Sequence, residues 1–233
     1  MERNRHARSA VDRARLEAML GGRWSYLAAP LALAGFAALG VLFGSTGRMI
    51  TAGLETGVPL AAGLAAASML ASEPALELQL AIPGGVRPAI LIRVGAVFGW
   101  SALVSAIAWL AADLSGAFAS RVPAGGPVVA QLTWLAPLAG FTVAGALLAV
   151  AFRSRAMASG SLMAFWVAGH AFHDAFESEP LLRSWYPFLT TYAVDASDWA
   201  ATRLVLVGLT TATLVGLGAC LGAGEWLLAS EDR

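Results

Sequence analysis

Long apolar runs dominate this chain, and they leave it few ways to fold. An α-helix rises 1.5 Å per residue, so about 20 apolar residues cross about 30 Å of hydrocarbon. Runs close to that length cover residues 26–43, 51–71, 89–112, 128–152 and 204–228, with a shorter one at 161–176. None alternates apolar with polar residues in the strand period, which argues against a membrane β-barrel. The expected fold is an all-α integral membrane protein with six spans, and the 233 residues show no internal repeat and read as one domain, 1–233. Composition agrees, because 58% hydrophobic against 13% charged residues is far from a soluble domain.

Two absences remove whole classes of chemistry. All fifteen basic residues are arginines. A chain with no lysine carries no Walker A phosphate loop and no Schiff base, so any ATP used must be bound elsewhere. Cys220 is the single cysteine. Intrachain disulfides and cysteine-ligated zinc or iron–sulfur sites are therefore excluded, and packing is the expected role of Cys220. The formal net charge is zero, so charge argues for no nucleic-acid partner.

The arginines also orient the spans. With both termini cytoplasmic, Arg3, Arg5, Arg8, Arg13, Arg15, Arg23, Arg87, Arg93, Arg153, Arg155 and Arg233 fall inside, and Arg48, Arg121, Arg183 and Arg203 outside, eleven against four. Residues 1–24 read as a retained cytoplasmic lead-in with a surface helix, its amphipathic stripe of Val11, Leu16, Met19 and Leu20 a loose one. Residues 177–202 carry Trp185, Tyr186, Phe188, Tyr192 and Trp199, an aromatic set suited to short re-entrant helices in the outer leaflet between spans five and six.

Between spans two and three lies a polar, proline-bracketed stretch, residues 73–93. Pro74 fits the first turn of a short helix, Pro83 with Gly84 and Gly85 ends it, and Pro88 can open the next span. Glu73 with Glu77 and Leu76 with Leu80 are each four apart, so the stretch offers acidic and apolar features together, followed by Arg87 and Arg93. A simple anchor has no use for such an interruption. On the cytoplasmic face it is a docking surface for a soluble partner.

The lead-in, the six spans, the Glu-Leu-x-Leu-x-x-Pro stretch and the broken outer helices together resemble the membrane subunit of type-2 ATP-binding-cassette transporters. The motif part of the likeness is Glu77, Leu78, Gln79, Leu80 and Pro83; Ile82 stands where that family often has Thr or Ser, and Arg87 comes later than its usual basic residue. The resemblance implies a permease half-transporter, usually an exporter, in the bacterial inner (cytoplasmic) membrane. It implies a cytoplasmic coupling helix within 73–88 seated on a separate ATPase subunit through Glu73, Leu76, Glu77, Leu78, Leu80, Pro83 and Arg87. It also implies a second membrane subunit, identical or not, ATP and Mg2+ bound on the partner, and no cofactor, metal or catalytic residue in this chain.

Rival readings rest on the ionisable residues near the outer face. His170, His173, Asp174 and Glu177 are spaced by three, four and seven from the first and would share one face of helix five. That set suits either a metal site or a polar helix end at the exit region. Glu55, about one turn inside span two, could line a substrate path, bind a cationic cargo, pair with Arg48 or reach the interface. Trp134 and Trp166, with Trp100 and Trp109, could line the path with Glu55, His170 and His173, or simply pack. Gly40 with Gly44 and Gly218 with Gly222 are close-packing pairs. A metal-dependent membrane enzyme or metal transporter, and a non-transporting scaffold, are the alternatives to transport.

Overall fold

The computed structural model describes residues 23–71, 86–117, 127–192 and 199–231, and among them the only regular structure is helical. Helix α1 (Arg23–Leu42) is followed by α2 (Thr46–Ala52), a π turn (Gly53–Gly57) and α3 (Val58–Ala71), which together make one continuous rod. Then come α4 (Val86–Leu114), α5 (Pro127–Phe152), α6 (Arg155–Ala171), three short helices α7 (His173–Ser178), α8 (Pro180–Arg183) and α9 (Leu189–Tyr192), and α10 (Trp199–Glu231). Five segments, 25–42, 46–70, 90–114, 130–152 and 201–219, are long and apolar enough to cross a membrane. The chain is a helical membrane protein. Helix α6, at 17 residues, falls just short of that length, and it begins at Arg155 and stops at Ala171, earlier at both ends than the apolar run at 161–176 suggests.

The prolines and glycines explain how the rods meet. Pro30 sits inside α1 and has no N–H for the Tyr26 carbonyl one turn back. Trp100 of α4 donates its indole N–H to that carbonyl at 2.7 Å, so the proline's missing bond becomes a contact between helices. Of the pair expected to pack closely, Gly40 does so against α2, whereas Gly44 ends a helix. Gly44 closes α1 in the left-handed region at φ 63°, and a Cβ on Gly40 would lie 2.8 Å from the Thr46 backbone where the chain turns into α2. Among the described glycines, the tightest backbone approach lies between α3 and α5. A Cβ on Gly145 would be 2.1 Å from the Gly63 carbonyl oxygen. In lipid, where helices gain nothing from burying apolar surface against each other, such small-residue contact is what lets backbones pack.

Between α5 and α6 the chain reverses in two residues. Arg153 takes the left-handed conformation at φ 49°, and the Ser154 hydroxyl caps α6 by accepting from the Met157 N–H at 3.4 Å. This turn defines one end of the bundle. Ala67 and Leu70 of α3, Ile90 and Val94 of α4, Ala146 and Ala149 of α5, Ala158 of α6 and Leu217 of α10 form one buried cluster there. At the opposite end, Gly47 of α2 packs on the Ala117 backbone beyond α4, α9 contacts α2, and Phe141, Leu162, Tyr186 and Phe188 form a second cluster.

Candidate functional site

The π turn is where sequence, backbone and chemistry coincide. Its residues are Gly-Leu-Glu-Thr-Gly, followed by Val58 and Pro59. Pro59 cannot donate to the Glu55 carbonyl one turn back, and the Val58 N–H reaches back five residues to the Gly53 carbonyl, which widens the turn. Its two glycines leave a notch filled by the Phe36 ring of α1, since a Cβ on Gly57 would lie 2.5 Å from the ring. All five residues of the turn are buried, so Glu55 carries a carboxylate into the protein interior.

Glu55 is fully enclosed and forms a salt bridge with Arg203, itself fully enclosed, near the start of α10. One Glu55 oxygen accepts from the Arg203 guanidinium and the other from the Thr191 hydroxyl of α9. Arg203 also donates to the Pro187 carbonyl at 2.7 Å. Isolated charges buried at this depth cost several kcal/mol each, so the pair persists because each member serves the other and both tie down the 187–191 segment. Among the possibilities for Glu55, the structure selects an ion pair, with Arg203 rather than Arg48 as the partner.

An aromatic cover closes over the pair. The Trp166 indole donates to the Thr56 carbonyl at 3.2 Å, His170 stacks on Phe188 with centroids 4.6 Å apart and planes 5° apart, and His173 stacks on Tyr192 at 4.5 Å. Gly169 makes room for Phe188, and its carbonyl accepts from the Tyr186 hydroxyl at 3.1 Å. Burial pushes the Tyr186 phenol above its ordinary range; it does the same to Tyr192, where Arg48 opposes the shift and Glu55 adds to it. Both hydroxyls therefore keep their protons, and Tyr192 lies 2.6 Å from His170 Nδ1.

The expected row of ionisable groups on one helix face is not present. Helix α6 ends at Ala171, and Phe172, at φ −114° and ψ 29°, breaks it before His173 opens α7. His170 therefore faces the aromatic cover, while the His173 Nε2 turns to the exposed Asp174 at 3.1 Å. Among the described residues no three His, Cys, Asp or Glu side chains converge as a metal site. Trp134 packs in the core beside Leu54 and Val58 and donates to Gln131 at 3.0 Å, enclosed like Glu55 by the chain's own helices. Arg87 lies in the first turn of α4, whereas Glu73, Leu76, Glu77, Leu78, Leu80 and Pro83 fall outside the described residues.

Sequence reasoning missed that Arg203, Thr191 and Pro187 belong with Glu55. One signal was available: a lone carboxylate inside a span demands a cation from another span, and Arg203 stands at the threshold of the last apolar run. No protein family matches this chain, and no curated protein or solved structure proves similar to it.

Proposed function

We propose that this chain is the membrane-spanning permease subunit of a type-2 ATP-binding-cassette transporter, an exporter driven by ATP hydrolysis on a separate chain. One observation carries the reading. The helix ends flanking residues 72–85, Ala67 and Leu70 on one side and Ile90 and Val94 on the other, pack in one layer with the two ends of the turn that bears Arg153 and Arg155. Helix α1 packs along α3 and turns into α2 at the opposite end, so its start points toward the Arg153 turn. Among the described residues this end carries Arg23, Arg87, Arg93, Arg153 and Arg155, and the opposite end Arg48, Arg183 and Arg203. That asymmetry supports a cytoplasmic position for the proline-bracketed stretch, where an ATPase can reach it.

In this reading α6 is a sixth, short crossing of about 26 Å, and α7, α8 and α9 are the broken outer helices that complete it. Residues 73–88 dock on the ATPase, which binds ATP and Mg2+. The rod of α3, the π turn and α2 runs from the docking stretch to the Glu55 and Arg203 pair, so it can carry displacement from the ATPase to the outer segment. Glu55 and Trp134 then serve as internal structure, and a translocation path forms with a second membrane subunit.

Leu80→Asp and Glu77→Arg test the proposal, because losing an apolar anchor at such a contact costs about 2 kcal/mol or more. Both variants should insert and fold, yet lose co-purification with the ATPase and membrane-dependent ATP hydrolysis, while Gln79→Ala stays close to wild type. Wild-type assembly, ATP turnover and transport in both variants would reduce the stretch to an ordinary loop.

A further inference from the structure

Between the short helices and α10, at the end of the bundle opposite the Arg153 turn, lies a polar cavity of about 280 Å³. Glu177, Ser178, Arg183 and Ser184 line one wall, Thr202 and Val205 the other. The chemistry of the wall is two-signed. Glu177 brings a carboxylate whose Oε1 is buried and accepts no hydrogen bond among the described residues. The Ser178 and Ser184 hydroxyls donate to the carbonyls of Ala175 and Leu181, at 3.2 and 2.7 Å, which leaves their lone pairs as acceptors. Arg183 adds a guanidinium, and its five N–H donors allow it to hold a phosphate in addition to any protein partner. Acceptors gathered near a carboxylate suit an ammonium with N–H donors, and the guanidinium suits an anion.

Beside this cavity runs an apolar groove of about 290 Å³, lined by Pro137, Phe141, Trp185, Leu206, Leu209 and Thr213 among others. The two spaces adjoin along neighbouring residues: Ser184 lines the cavity and Trp185 the groove, and on α10 Val205 lines the cavity and Leu206 the groove. Thr213 spends its hydroxyl on the Leu209 carbonyl at 2.8 Å, so it presents its methyl to the groove. Leu181 and Trp185 are exposed on the rim, as residues at a headgroup boundary are. A polar, two-signed cavity beside an apolar groove matches a molecule that is itself a zwitterion joined to a hydrocarbon chain.

We propose that this cavity and groove form a binding site for one zwitterionic phospholipid with a primary ammonium: the ammonium at Glu177, the phosphate at Arg183, and an acyl chain in the groove under Trp185. The site stands independently of the transport reading, since it requires no ATPase. Delipidated protein in a non-ionic detergent, titrated with dioleoyl phosphatidylethanolamine, phosphatidylcholine or phosphatidylglycerol and followed by native mass spectrometry, tests it. One phosphatidylethanolamine should be retained about tenfold more tightly than phosphatidylcholine, whose ammonium has no N–H to offer a carboxylate. Glu177→Gln should bring that ratio to within about twofold, and the roughly fivefold fall is the size of a hydrogen bond's charge assistance. Thr213→Trp, which fills the groove, should weaken phosphatidylethanolamine retention without lowering the melting temperature. Equal retention of all three lipids by the unaltered protein would mean a general lipid annulus and would overturn the proposal whether or not the variants fold. Binding of free phosphoethanolamine as tight as that of the lipid, untouched by Thr213→Trp, would make this a site for a soluble zwitterion and overturn it equally.

Discussion

Glu55 and Arg203 decide at the residue scale how the outer part of the molecule is held. Neither touches solvent, and their shared contacts reach Thr191 and Pro187 on a segment that aromatic stacking and the Tyr192 hydroxyl also hold to the bundle. Removing one charge strands the other inside the protein. Glu55→Leu or Arg203→Leu should therefore each lower stability by about 3–5 kcal/mol, whereas the double variant Glu55→Leu/Arg203→Leu should recover much of the loss because neither charge is left buried. Thermal unfolding of the three proteins in detergent, compared as a double-mutant cycle, measures this. Additive losses would show that the two side chains act separately. Proteolysis between residues 187 and 192 should also quicken in the single variants, since this segment loses its tie to the interior.

At the scale of elements, small residues and prolines set helix geometry more than apolar side chains do. The contact of Gly63 with Gly145 brings α3 against α5 backbone to backbone, and no side chain fits there. Gly145→Leu should push the helices apart and cost at least the 1–3 kcal/mol typical of an overpacked core. Gly95 of α4 provides the contrast, because a Cβ there would meet nothing within 4 Å. Gly95→Ala should leave stability unchanged or raise it by up to about 1 kcal/mol through helix propensity. Melting of the two variants side by side checks the pair; equal losses would mean that glycine content alone, not the α3 and α5 contact, sets stability. The same scale explains the break at Phe172. His170 and His173 each find an aromatic partner, on Phe188 and Tyr192, only because α6 ends between them.

For the whole molecule, the packed layer at the Arg153 turn ties together the helix ends on both sides of residues 72–85. In a Cys220→Ser background, single cysteines at positions 84, 121 and 154 should divide accordingly. An impermeant thiol reagent added to intact cells should label position 121 alone, and labelling at 84 would put the docking stretch on the wrong side for a cytoplasmic ATPase. Much of this architecture was legible in the linear chain. Apolar run length dictates helices that cross a bilayer, because no other backbone form satisfies its own hydrogen bonds in lipid, and arginine placement separates the two ends. The helix limits of α1, α4 and α5 follow from those same local signals, whereas α10 starts at Trp199, inside the stretch expected to form an outer-leaflet loop. What the chain alone left open is long-range pairing. Glu55 and Arg203 lie 148 positions apart, and Arg48 looked the nearer partner until the rod carrying it was packed against α9 and α10. Gly63 and Gly145, Trp100 and Tyr26, and the cavity between α8 and α10 are likewise products of which helices become neighbours. Local hydrogen bonding and hydrophobicity determine where a helix forms, but only the packing of all of them decides which buried charge meets which, since that depends on distances no segment contains by itself.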